Sequence, residues 1–187
     1  YGWKMDYLLT ASDGLEISNV QFGNQKVLNS AKLVDWHVSY SGTDGFGYSD
    51  AVGCPIYSQA AVVATDPPRI ADIVEGDSVI GFMIEQKFFS ELWPGPCNYS
   101  YSQRNFFYKD GRFRITCASI GRGCGNNGTY RPVFRIAFAG NQQNFYEYAS
   151  TGWKQWNKEG WQLQQPTTQY DSYGFQYKIQ TSPTLSY

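Results

Sequence analysis

Apolar residues along this 187-residue chain recur mostly at every second position, the spacing of a strand with one covered face, and seldom at helical spacing. Val34, Trp36, Val38 and Tyr40 alternate with Asp35, His37 and Ser39. Phe134, Ile136 and Phe138 alternate with Arg135 and Ala137, and Tyr173, Phe175, Tyr177 and Ile179 with Gly174, Gln176 and Lys178. Upstream, Leu15 and Ile17 give way to Val20 and Phe22, the change of phase that a bulge at Ser18-Asn19 produces. Gly23-Asn24 then turns the chain toward Lys26–Leu28. Val79–Ile84 is a short, nearly continuous apolar strand, and Asp110-Gly111 is a hairpin turn whose central positions favour positive φ.

No convincing amphipathic helix is present. Residues 64–77 (ATDPPRIADIVEGD) come nearest, as one or two turns after Pro67-Pro68. The pattern predicts an all-β fold: a two-sheet β-sandwich of ten or more strands with short loops and little helix, in one domain over residues 1–187. Fifteen Tyr, 12 Phe and 6 Trp support strands, because aromatic side chains fit a pleated, half-buried surface.

Charge narrows the partners. The net charge is −1 with no Lys/Arg block, so neither nucleic acid nor an anionic membrane surface has an electrostatic footprint. No apolar run is long enough to span a bilayer as a helix. The first residue is Tyr, and the expectation is a removed leader or a trimmed chain. Four cysteines and two Asn-x-Ser/Thr sequons, at Asn98 and Asn127, point to an oxidising, extracellular setting. Cys117 and Cys124 flank a Gly-rich loop that a bridge would close, contributing about 2–3 kcal/mol; Cys54 and Cys97 would then pair. Four cysteines allow three connectivities, so the pairing stays open. No Cys-x-x-Cys spacing suggests a metal site.

Two features point to surfaces. The segment TGWKQWNKEGW sets Trp153, Trp156 and Trp161 beside Lys154 and Lys158. Such a cluster caps a core, anchors a subunit contact, or stacks on sugar rings, and the spacing does not choose. Both ends, YGWKMDYLL and PTLSY, are aromatic and apolar, which fits either docking within the chain or strand pairing with a neighbour. His37 falls on the polar side of its strand, and Asp72, Glu75 and Asp77 read as a solvated turn without the twelve-residue pattern of an EF-type calcium loop.

Five segments in order resemble the catalytic β-sandwich of copper amine oxidases: GLEISNVQFGNQKVLNSAKLVDWHVSYSG, GYSDAVGC, CNYSYSQRNFFYKDGRFRI, YRPVFRIAFAG and SYGFQYKIQTSP. The resemblance implies the same sandwich and places Tyr99, after Asn98, where that family oxidises a tyrosine to its quinone cofactor. It places Gly128 and Tyr130 where the family has a His-x-His pair of copper ligands, Ser100 where a carboxylate follows the tyrosine, and Asp44 near the family's catalytic aspartate. The family's disulfide begins near Cys54, but its second partner has no counterpart in VIGFMIEQ. The chain holds one histidine, His37, in a different strand. Copper(II) takes nitrogen-rich, tetragonal surroundings that one imidazole cannot supply.

The expectation is therefore a secreted, non-enzymatic sandwich without cofactor or metal, with Tyr99 a packed or rim tyrosine. Its expected role is structural, self-associating as a surface or filament subunit. A glycan- or protein-binding module using Trp153–Trp161 is one alternative, and a degenerate oxidase with residual chemistry at Tyr99 is the other.

Overall fold

The computed structural model describes residues 1–10, 14–39, 63–64, 66–121, 129–160 and 165–187. Among them are twelve strands and no helix: β1 (Trp3–Leu9), β2 (Leu15–Phe22), β3 (Gln25–Ser39), β4 (Arg69–Glu75), β5 (Ser78–Phe89), β6 (Ser100–Tyr108), β7 (Phe113–Gly121), β8 (Thr129–Phe138), β9 (Asn144–Ala149), β10 (Gly152–Gln155), β11 (Tyr177–Ser182) and β12 (Leu185–Ser186). They form three four-stranded sheets, in the orders β1-β2-β3-β8, β4-β5-β6-β7 and β10-β9-β11-β12. Every pairing is antiparallel.

The first two sheets make the sandwich. Leu15, Ile17, Val20, Val27, Leu28 and Ala31 from one meet Ile84 and Phe107 from the other in a single buried cluster. Trp3 bridges the layers with its ring 5.0 Å from Phe107, while its indole N–H donates to the Tyr108 carbonyl at 2.8 Å. Gln103 on β6 joins them more directly. Its Oε1 accepts from the Leu15 N–H at 3.0 Å and its Nε2 donates to the Leu15 carbonyl at 2.6 Å. One side chain thus completes the backbone pairing of a residue in the facing sheet, in a place where an unpaired amide is costly.

The alternation holds where turns support it and shifts where they do not. Asn19 has φ of 49°, and Leu15, Ile17 and Val20 are all fully buried, as the bulge at Ser18-Asn19 requires. Gly23 and Gly111 have positive φ at the two anticipated hairpins. The register shift between Leu33 and Asp35, one of two in the β3–β8 pair, was not anticipated. It buries Leu33 and turns Val34 outward, so the expected inward run through Val34 begins instead at Trp36. Residues 69–75, nearest to a helix in sequence, form strand β4, because its Ile70 and Ile73 pair along β5 opposite Ile84 and Gly81.

The third sheet is the main departure from a two-sheet design. Strands β9–β12 pack onto the sandwich through Ile179 and Tyr187, and the Tyr187 ring lies 5.0 Å from that of Phe138. The strand predicted over Tyr173–Ile179 starts only at Tyr177. Before it Asp171 builds a turn: its Oδ1 accepts from the N–H groups of Tyr173 and Phe175, both at 2.9 Å, and Gly174 takes φ of 83°.

Both chain ends dock within the chain. β1 pairs with β2, and the backbone of Tyr187 exchanges two 2.8 Å hydrogen bonds with Ile179.

Candidate functional surfaces

At one end of the sandwich, β6 begins in a polar knot. The Asn98 side chain is buried; its Nδ2 donates to the carbonyls of Gly95 at 3.2 Å and Pro96 at 2.9 Å. Ser90 Oγ donates to Asn98 Oδ1 at 3.2 Å and accepts from the Tyr99 N–H at 2.9 Å. Both Nδ2 hydrogens are spent inside the fold and Ser100 is buried too, so the expected glycan at Asn98 is incompatible with this structure. The other sequon, Asn127, lies outside the described residues.

The Tyr99 ring sits 6.1 Å from Tyr101, which stacks on Trp36 at 4.6 Å and meets Tyr130 at 6.3 Å. Tyr99 and Tyr130, which the resemblance assigns to cofactor and metal-ligand positions, thus share a neighbour in an aromatic cluster. His37 is largely covered, not exposed, with Nδ1 4.0 Å from Asp35 Oδ2. Among the described residues, no group of three or more His, Cys, Asp or Glu is placed to hold a metal ion. Asp44 and Gly128 fall outside them.

Cysteine chemistry differs from expectation at one position. Cys117 is a free thiol on the face of β7 opposite Gln103, so the anticipated Cys117–Cys124 bridge is not formed. Burial pushes its pKa up to about 11, which keeps the thiol protonated near neutral pH. Cys97, with φ of 62°, is disulfide-bonded. Cys54 and Cys124 lie outside the described residues.

The third sheet gathers the remaining chemistry. Its register sets Tyr146, Tyr148, Trp153 and Lys178 on one face, where the Lys178 ammonium lies 4.8 Å from the Tyr146 ring and 4.7 Å from that of Trp153. Phe145, Glu147 and Tyr177 share the other face. There the Trp156 N–H of the backbone donates to the Phe145 carbonyl at 2.9 Å, and the indole N–H donates to Glu147 Oε2 at 3.1 Å. Phe145 meets Trp156 edge-on at 5.1 Å and Tyr177 at 5.2 Å. Beside Trp156 opens a groove of about 770 Å³, lined by Gln143, Phe145, Asn157, Lys158, Glu159 and Gly160. Trp153 and Trp156 therefore lie on opposite sides of the small sheet's edge, and Trp161 lies outside the described residues. Phe145, Glu147 and Asp171 were not anticipated. The period-2 run NFYEYA and the turn-forming DSYG were the signals that would have found them.

A further surface follows from sheet order. Among the described residues, β1 and β8 are the open edges of the first sheet. β1 leaves Leu8 65% exposed, with Tyr7 and Leu9 also uncovered, and β8 leaves Val133 and, at 39%, Ile136. No protein family model matches the chain, and no curated protein matches it in sequence.

Proposed function

We propose that this chain is a non-catalytic, extracellular β-sandwich that works structurally, by associating with copies of itself through the edges of its first sheet. The observation that carries the reading is that both open edges of that sheet, β1 and β8, leave large apolar side chains uncovered. Their polarity is compatible. β1 runs with β3, and β8 runs against β3, so β8 of one copy and β1 of the next, placed side by side without rotation, are antiparallel. A contact of that kind is heterologous and repeats along a line unless it closes into a ring. Unpaired edge N–H and C=O groups supply the hydrogen bonds, and Leu8, Val133 and Ile136 supply the apolar cover. Pro132 has no N–H to donate, and the uncovered apolar side chains of β8, Val133 and Ile136, lie on its C-terminal side.

The single histidine of the sequence supports the non-catalytic part of the reading, and the disulfide at Cys97 supports the extracellular part. Light scattering over a concentration series, with negative-stain imaging, tests the association. Oligomers or fibres are expected, and a strict monomer at high concentration refutes the reading. Leu8→Lys and Ile136→Lys each block one edge. Separately each variant should be monomeric, and a mixture should form dimers and nothing larger, because each partner retains one competent edge.

A further inference from the structure

From the groove beside Trp156 we infer a binding site for a neutral oligosaccharide, a ligand that the edge-to-edge association does not involve. Three observations converge there. First, the Trp156 ring is fixed before any ligand arrives: Glu147 takes its indole N–H at 3.1 Å, and Phe145 abuts it at 5.1 Å with the planes 75° apart. With the N–H spent inside the protein, the ring offers a ligand its apolar face, the surface on which the C–H face of a pyranose stacks.

Second, the chain beyond Trp156 folds back to form a wall. A Cβ placed on Gly160 would stand 3.1 Å from the six-membered ring of the indole, so the close approach suits glycine. Third, the wall is polar and unspent. Asn157, Lys158 and Glu159 line the groove, and none of them makes a hydrogen bond or ion pair within the described structure. An aliphatic ligand would strip water from these groups without replacing its hydrogen bonds, which disfavours such a ligand. Sugar hydroxyls both donate and accept, and so serve a carboxamide, an ammonium and a carboxylate together.

Charge selects within the saccharides. Lys158 and Glu159 cancel, and Lys154 stands across from Glu147 in the strand register, so the surroundings carry no net charge to draw an anionic sugar in place of a neutral one. Beyond Phe145 the aromatic surface continues to Tyr177, whose ring lies 5.2 Å from that of Phe145. A linear oligomer, with successive units over Trp156 and toward Tyr177, fits better than a monosaccharide.

The test is an NMR titration of the ¹⁵N-labelled full chain with maltohexaose, cellohexaose and N-acetylated chitohexaose, reading the indole N–H resonances. The Trp156 signal is identified by its loss in Trp156→Phe. At least one probe should shift that signal saturably, and Asn157→Ala, a surface change that leaves the thermal midpoint in place, should weaken binding about tenfold. The inference is overturned if none of the three shifts the signal, if Asn157→Ala leaves the affinity unchanged, or if only uronic or sulfated oligosaccharides bind. A monomeric chain that binds sugar, or an assembling chain that does not, separates this site from the association.

Discussion

The sandwich and the small sheet bury their surfaces in opposite ways. Between the two large sheets the core is mainly aliphatic, with Leu15, Ile17, Val20, Leu28 and Ile84 fully covered around Phe107. In β9–β12 most of the large apolar side chains are rings, and along β9 every residue from Asn144 to Ala149 is only half-buried. A strand whose two faces are both half-covered has no dry interior to protect. Its rings are held by hydrogen bonds at their edges, as Glu147 holds Trp156 and Gln180 holds the Tyr146 hydroxyl at 3.1 Å. Stability thus resides in the sandwich, and ring surface in the small sheet remains available for contacts.

The largest expected effect tests that division. Phe107→Ala removes a fully covered ring from the junction of Trp3 and Phe82, which lie 5.0 and 5.2 Å away, and should cost about 3–5 kcal/mol in urea unfolding. Phe145→Ala, on a half-covered ring, should cost roughly half as much. Equal losses would break the comparison, since the small sheet would then be as much a core as the sandwich.

A smaller effect, dependent on pH, comes from the outer face of the second sheet. Glu85 is 4% exposed, with Oε1 accepting from Arg104 Nε at 2.8 Å and from Ser102 Oγ at 3.0 Å. Burial alone would raise its pKa. The hydrogen bonds from Arg104 and Ser102, with the charges of Arg104 and Lys87, outweigh it and hold the carboxyl below its ordinary 4.5. A depressed carboxylate contributes stability above its unfolded pKa and loses it as pH falls through the folded value. Glu85→Gln should therefore cost about 1–2 kcal/mol at pH 7, Arg104 being partly exposed, and the gap to the unmodified protein should narrow on acidification below 4.5. A gap constant from pH 7 to pH 3 would make Glu85 a matter of shape and not of charge.

Period-2 alternation made the sandwich legible, because its strands are covered on one face and their phase is set by Gly and Asn at turns. It misled at Val34, where the bulge leaves no sequence mark, and at residues 69–75, where Asp72 and Glu75 broke the alternation of an edge strand whose inner face carries Ile70. The tryptophan cluster was visible, but not that Trp156 and Trp153 face opposite sides, since the two sit on either side of the end of β10. Nothing local could have paired Gln103 with Leu15 or placed Phe145 under Trp156. Those contacts join residues that only the folded topology brings together. Asn98 shows the converse error: a sequon is a local pattern, and its burial comes from the loop of residues 90–98 closing over it.

The smallest effect sharpens the comparison where the small sheet meets solvent. Tyr173 is 83% and Phe175 62% exposed, yet both amides are tied to Asp171 Oδ1. If that carboxylate organises the turn, Asp171→Ala should raise amide exchange at Tyr173 and Phe175 by about tenfold, and global stability should fall by no more than about 1 kcal/mol. Asp171→Asn keeps an acceptor oxygen and should restore most of the protection. Exchange unchanged in Asp171→Ala would mean that the backbone bonds alone hold the turn, from the Asp171 N–H to the Phe175 carbonyl at 2.9 Å and from the Gly174 N–H to the Asp171 carbonyl at 3.0 Å. Either result locates what holds the turn that carries two bare aromatic rings into a sheet with no closed core of its own.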